Sequence, residues 1–166
     1  KPVFLELGLQ SSHDETLRRI ARGHDYACFQ RALLAATAAG LETTAHLILG
    51  LPGETGERMV ETVRRLAETP LAAVKLHHLQ IHRDTPFARD FERGELSVFQ
   101  GFEDYLPVLC EVLRALPWRI FVARVVADSP GEPLLAPKWG LTKSQIYERL
   151  EAYLAERGAR QGDRAF

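Results

Sequence analysis

Thr43-Thr44-Ala45-His46-Leu47-Ile48-Leu49-Gly50-Leu51-Pro52-Gly53-Glu54-Thr55 is the stretch on which the fold depends. Thr43 to Leu49 is mostly β-branched or apolar and reads as a strand. Gly50 to Glu54 interrupts it, and Thr55 stands where a helix N-cap belongs. Met59, Val60, Val63, Leu66 and Ala67 then follow at helical spacing. The stretch is one strand–turn–helix unit, and the alternation continues on both sides. Upstream, Val3 to Gln10 is a strand with Leu5, Leu7 and Leu9 on one face and Glu6, Gly8 and Gln10 on the other. Ser12 and Glu15 have the spacing of a capping box, which predicts a short helix through Ile20. Arg22-Gly23-His24 breaks that helix. Tyr26 to Ala39 is a second helix closed by Gly40. Downstream, Ala73 to Ile81 is a third strand, and Phe102 to Leu116 a helix carrying Leu106, Leu109, Val112 and Leu113. Arg119 to Ala127 is a fourth strand. Ser129 to Gly140 reads as an ordered loop rich in Pro and Gly. Thr142 and Gln145 form a second capping box, opening a helix with Ile146, Leu150, Tyr153 and Leu154. The tail from Gly158 is polar and predicted to fray. The order β-α-β-α-β-α-β-α predicts an α/β fold of parallel strands joined by helical crossovers.

The chain has 166 residues, near the ~150 of one domain. Its 21 Lys+Arg and 22 Asp+Glu give a net charge of −1. That balance argues against a general polyanion binder and leaves specific nucleic-acid recognition open. No apolar run reaches the ~18 residues of a membrane span, and no segment has the layout of a signal peptide. Cys28 and Cys110 form neither a disulfide framework nor a metal spacing. They read as thiols of a reducing compartment, so the cytoplasm is expected. The only Met is Met59, and the first strand begins without a lead-in. The chain therefore reads as a piece of a longer protein. A strand edge left bare by that division templates association, so the chain is expected to self-associate through Pro2–Leu9.

Strands of a parallel sheet are normally apolar on both faces. Here the first carries Glu6 and Gln10, the second His46, and the third Lys75, His77, His78, Gln80 and His82. Polar side chains recurring on neighbouring strands predict a wet, functional cavity, since burying them without partners is costly. Gln10-Ser11-Ser12, Gly50 to Glu54 and Gln80 to Thr85 all follow strand C-termini, the edge where α/β folds place their sites. For the Gly50 turn two readings stand: a tight turn capped by Thr55, or a backbone that a ligand approaches closely. His77 and His78 are either hydrogen-bonded core groups or cavity residues. Arg22 is either a loop terminator or an anion clamp. His78 and His82 would lie ~13 Å apart along a strand, too far for one metal ion. Cys28 is read as a packing residue. No G-x-S-x-G elbow is present for a hydrolase.

Glu6-Leu7-Gly8-Leu9-Gln10-Ser11, Leu17 to Tyr26 through Arg22-Gly23-His24-Asp25, and His46-Leu47-Ile48-Leu49-Gly50-Leu51-Pro52-Gly53-Glu54 together resemble the radical S-adenosylmethionine (SAM) superfamily. Their order is similar to the second half of its partial (β/α)6 TIM-like barrel. Lys75-Leu76-His77, the Thr85 loop, Leu134 to Trp139 and Arg157 to Gly162 resemble later blocks of a bacterial subfamily. That subfamily is related to the elongator catalytic subunit and the oxygen-independent coproporphyrinogen oxidase. The resemblance implies a barrel half over 1–117 and an extension of strand, loop and helix over 118–166. It implies SAM as cofactor, contacted by Gln10 and Ser11 at one strand end and by Arg22, whose guanidinium suits the SAM carboxylate. Ile48 and the Gly50 turn would flank adenine, with Gln80 and Ile81 bordering it. His46 stands where relatives have an Asp near the ribose. Glu6, Lys75 and His77 would face the substrate.

The same resemblance implies a parent enzyme that reductively cleaves SAM to a 5′-deoxyadenosyl radical. These enzymes hold a 4Fe–4S cluster on a C-x3-C-x2-C loop, and thiolates are the usual ligands of such clusters. Cys28 and Cys110 cannot form that loop, so no metal ligands are assigned here and the chain alone is expected to be inactive. Two other readings remain: half of another (β/α) barrel, such as a Schiff-base lyase using Lys75, and a non-catalytic module that binds a small ligand.

Overall fold

The computed structural model describes residues 3–128 and 133–165. Pro2 and the first four residues of the Ser129–Gly140 loop lie outside the described residues. The elements in chain order are β1 (Phe4–Gln10), α1 (Asp14–Arg19), α2 (Tyr26–Ala38), β2 (Glu42–Leu49), α3 (Gly56–Ala67) and β3 (Ala73–His78). There follow β4 (Ile81–His82), α4 (Pro86–Glu92), α5 (Phe102–Ala115), β5 (Phe121–Arg124), β6 (Leu134–Ala136) and α6 (Lys143–Glu156). Four strands form one parallel sheet in the order β1-β2-β3-β5, as the alternation predicts.

Strand parity decides what each face holds. Leu9, Ala45, Leu47, Leu49, Val74 and Leu76 point to one side and are buried against α2, α3 and α5 through Leu33, Val63, Leu66 and Leu109. A fully buried Leu stabilises by about 1.5–3 kcal/mol, and Leu47, Leu66, Leu76 and Leu109 are all 0% exposed. The other face carries Glu6, Gly8, His46, Ile48, Lys75 and His77, all less buried. β5 lies in the same sheet, and Ile146 and Leu150 of α6 join the same core. Among the described residues, no helix is long and apolar enough to cross a membrane.

Local chemistry sets several boundaries as expected. Thr55 caps α3 by accepting from the Arg58 N–H, and the Thr142–Gln145 box forms at α6; the cap of α2 is Asp25, which accepts from the Cys28 N–H and which the sequence reading did not assign. Other expectations are corrected. The predicted strand Ala73–Ile81 stops at His78, because its ladder partner β2 ends at Leu49, which pairs with His78. Ile81–His82 instead pairs antiparallel with Leu134–Ala136, a strand inside the segment read as loop. The strand read as Arg119–Ala127 is only Phe121–Arg124, since the Ile120 N–H closes a turn on the Pro117 carbonyl and the pairing with β3 ends at Lys75–Arg124. The Ser12–Glu15 box does not form. His13 is the N-cap of α1, while Ser12 uses its N–H and hydroxyl on Thr62 Oγ1 at 3.2 and 3.1 Å. The helix α4, which the sequence reading lacked, is capped by Thr85 and begins with Pro86. Cys28 is exposed rather than packed, because the buried stripe of α2 runs through Phe29, Leu33 and Ala36. The tail after Gly158 is tied down. Gly162 and Arg164 donate to the carbonyls of Leu113 and Arg114 at 3.1 and 2.9 Å, and Asp163 pairs with Arg114 at 2.8 Å.

Candidate functional site

The face of the sheet away from the helices carries a charged network. Glu6 accepts from Lys75 Nζ at 2.5 Å and lies 2.7 Å from His46 Nε2. Lys75 reaches it from β3 across β2, where Thr44 sits opposite Glu6. The Lys75 and His46 hydrogen bonds hold the Glu6 carboxyl below the usual carboxylate range. The His46 ring stacks on His77, centroids 5.4 Å apart. Burial, together with the charges of His46, Arg124 and Lys75, pushes His77 down to about 4. His77 is therefore a neutral imidazole at physiological pH, and its buried Nε2 has no partner. Such unpaired groups are few in folded proteins, and each asks for a reason.

The C-terminal end of β1 is irregular in a way that suits a site. The β1–β2 register slips between Gly8 and Gln10, and Gln10 adopts φ +74°, the left-handed region that a side chain seldom occupies. Three donors converge on the Gly8 carbonyl: Arg22 Nε at 3.1 Å, Arg22 Nη2 at 2.7 Å and His24 Nε2 at 3.1 Å. A Cβ on Gly8 would sit 2.6 Å from Arg22 Nη2 and 2.8 Å from Gln10 Nε2. The missing side chain is what lets Arg22 and Gln10 lie over this strand.

Beyond the strand ends lies a cavity of about 340 Å³, whose wall includes Gln10, His46, Ile48, His77, His78, Gln80 and His82. The structure thus brings together Gln10, His46, Ile48, His77 and Gln80 from the sequence-predicted set. Glu6 and Lys75 lie behind them through the His46 contact, and Arg22 flanks them over Gly8. Three candidates lie elsewhere. Ser11 is buried, donating to Glu54 and accepting from the His13 N–H. Ile81 is 0% exposed and pairs with Ala136. Gly50 lines a separate cleft of about 380 Å³ with Arg19, Glu54 and Phe99. His78 and His82, read among the polar side chains of one long third strand, also line this cavity. Parity along one continuous strand puts His78 on the core side, and only the break after it gives it access to the cavity.

His78 is buried against Trp139 at 4.1 Å and Tyr105 at 5.9 Å between ring centroids. Burial pushes it down to about 4, the neighbouring His77 adding to the effect. The residues do not fit an iron–sulfur cluster. Cys28 is exposed on α2 and Cys110 buried on α5, and among the described residues no three of His, Cys, Asp and Glu group to hold a metal ion. Lys75 is committed to Glu6 by an ion pair, unlike the desolvated free amine of Schiff-base lysines.

Comparison with known proteins places this geometry. Residues 1–66 match the Radical SAM superfamily, and residues 71–156 the Radical_SAM C-terminal domain. The chain is 40% identical over 156 residues to Protein YhcC of Escherichia coli (strain K12), covering 94% of this chain and 50% of that protein. It is 31% identical over 160 residues to the protein YtqA of Bacillus subtilis (strain 168), covering 96% and 49%. The chain thus spans about half the length of the curated relatives it matches. Its backbone superposes on the archaeal Methanocaldococcus infernus Elp3 with an N-terminal deletion at a TM-score of 0.81. That match has 22% identity and covers 94% of this chain and 36% of that one. At that identity the likeness shows the fold alone, a segment of a partial TIM-like barrel.

Proposed function

This chain belongs to the radical SAM superfamily, and from that premise we propose that it forms the SAM-binding, substrate-facing part of a radical SAM enzyme. The observation that carries this reading is the convergence of Gln10, His46, Ile48, His77 and Gln80 on one strand-end cavity, flanked by Arg22. The donor set suits the ligand. Ile48 and the neighbouring Leu79 offer apolar surface to an adenine ring, and the Gln80 amide can hydrogen-bond its edge. His46 offers a ring nitrogen to ribose hydroxyls in place of a carboxylate. The neutral His77 ring, unpartnered at Nε2, can hydrogen-bond a polar group without adding charge. Arg22 spends Nε and Nη2 on the Gly8 carbonyl, which pre-orients the fork and leaves Nη1 for a carboxylate. The chemistry SAM brings when bound is one-electron reduction of its sulfonium to methionine and a 5′-deoxyadenosyl radical.

The cluster ligands would come from outside this chain, so the chain alone should not cleave SAM. Glu6 and Lys75 would face the substrate as a fixed ion pair. Residues 118–166 would act as an extension that completes the barrel half of 1–117. Free thiols at 28 and 110 suit a reducing compartment such as the cytoplasm.

In the intact enzyme, Arg22→Ala should weaken SAM binding by about 1.5–3 kcal/mol, the worth of a charge-assisted hydrogen bond. Titration calorimetry would read this as a loss of roughly 10- to 150-fold in affinity. Unchanged affinity would remove Arg22 from the site and count against the cavity as the SAM pocket. The 166-residue chain by itself should also self-associate. Val3 and Phe4 at the β1 edge are 62% and 60% exposed, and among the described residues β1 pairs only with β2. Light scattering is expected to give a dimer mass. A monomer at high concentration, with freely exchanging β1 amides, would show that this edge is tolerated.

A further inference from the structure

A second cavity, of about 680 Å³, lies between the chain after β5, the segment following β6 and the start of α6. It has twice the volume of the strand-end cavity and falls within the roughly 300–1,000 Å³ of small-molecule sites. From its walls we infer that it binds a monoanionic ligand with a flat apolar body, and, resting on the reading above, that this ligand is the substrate.

Three features define that chemistry. The sides are apolar, formed by Val126, Leu134, Leu141 and Ile146. Trp139 offers an aromatic surface held in a fixed orientation. Its indole N–H donates to the Phe99 carbonyl at 3.0 Å, and Phe102 and Tyr105 pack on it with centroids 5.4 and 5.6 Å away. A fixed indole stacks on a planar group at little entropic cost. The rim is cationic. Lys138 and Lys143 both border the cavity, and among the described residues the one carboxylate there, Asp128, is already shared between Lys143 at 2.7 Å and Arg124 at 2.8 Å. Among the described residues, two lysines and one carboxylate border the cavity, and that excess of one positive charge favours a ligand bearing one anionic group.

The inner wall supplies an independent sign of a ligand. His78 is 4% exposed and lines the cavity, and its buried ring Nδ1 has no hydrogen-bond partner. A polar atom on the ligand would satisfy it. His78 and Ala127 also line the strand-end cavity. A ligand anchored by its anion at the Lys138–Lys143 rim therefore extends its body along Trp139 and ends beside the proposed SAM pocket. A substrate needs that placement, with its recognition group at the mouth and its reacting end at the shared wall.

The test uses the 166-residue chain and nuclear magnetic resonance of its two indole N–H groups, with 2-naphthoate as the probe. The Trp139 signal should shift saturably with 2-naphthoate, while Trp118, 85% exposed and outside the cavity, serves as the internal control. The neutral 2-naphthamide should bind at least tenfold more weakly. Combined K138E and K143E, two exposed positions whose exchange leaves the core intact, should weaken 2-naphthoate at least tenfold. Absence of a saturable Trp139 shift at millimolar probe overturns the inference. So does equal affinity for acid and amide, or indifference to the charge reversal. The Arg22 experiment in the intact enzyme fails or succeeds independently. Naphthoate binding without an Arg22 effect on SAM would keep this site and remove its assignment to the substrate.

Discussion

Trp139→Ala is expected to lower the unfolding free energy by about 3 kcal/mol, the low end of the 3–5 typical for truncating a large aromatic in a core. The low end applies because Trp139 is only partly buried. The ring touches His78, Phe102 and Tyr105, with centroids at 4.1, 5.4 and 5.6 Å, and its N–H satisfies the Phe99 carbonyl. Truncation removes those contacts and leaves the carbonyl without its donor. It also lets water reach His78, whose neutral state depends on burial. Urea titration would read the loss as a lower midpoint at unchanged slope. Trp139→Phe should recover most of the stability, losing mainly the hydrogen bond. A loss below about 1 kcal/mol for the alanine variant would place the indole among surface positions, outside the core.

Gly50→Ala should cost a similar amount, about 2–4 kcal/mol, by a different route. Gly50 has φ +87°, and a Cβ there would lie 2.7 Å from the Phe99 ring. Backbone strain and overpacking therefore add, and Phe99 cannot retreat freely because its ring packs edge-on against Tyr105 at 5.2 Å. Gly53→Ala is the control. It shares the positive φ, at +82°, but its Cβ would meet only the Arg19 guanidinium, at 3.0 Å, the movable end of a side chain. It should cost about 1–2 kcal/mol, the backbone strain alone. Equal losses at the two positions in chemical denaturation would show that Phe99 gives way and that the turn, not the ring, sets the requirement for glycine.

These two positions also show where the sequence reading stops. The Gly50 turn was legible as a strand-to-helix turn with Thr55 as cap, and its two open readings turned on whether a ligand approaches it. The structure gives it a packing role against Phe99, a residue 49 positions away. Leu134 to Trp139 was legible as a block of the family, but nothing in it showed that Leu134–Ala136 would pair with Ile81–His82 or that Trp139 would cover His78. The candidate site divides in the same way. Gln10, His46, Ile48, His77 and Gln80 share a cavity, whereas Ser11, Gly50 and Ile81, equally well placed after strand ends, face other neighbours.

What the sequence by itself determined follows from interactions of short range. A side-chain period of two put Glu6, His46, Lys75 and His77 on one face of a parallel sheet. Cap chemistry over three residues marked the starts of α3 and α6. The chain's two cysteines, Cys28 and Cys110, form no C-x3-C-x2-C loop. What only the tertiary structure decided are choices among partners distant in the chain. Ser12 bonds Thr62 on α3 instead of capping its own helix. Lys75 crosses β2 to reach Glu6. Arg22 and His24 both converge on the carbonyl of Gly8, a residue without a side chain to obstruct them. Such pairings leave no local periodicity or cap signature, because each residue could satisfy its polar group in several ways. Packing the helices onto the sheet brings one partner within reach, and the cost of leaving a buried polar group unpaired makes that partner the one used.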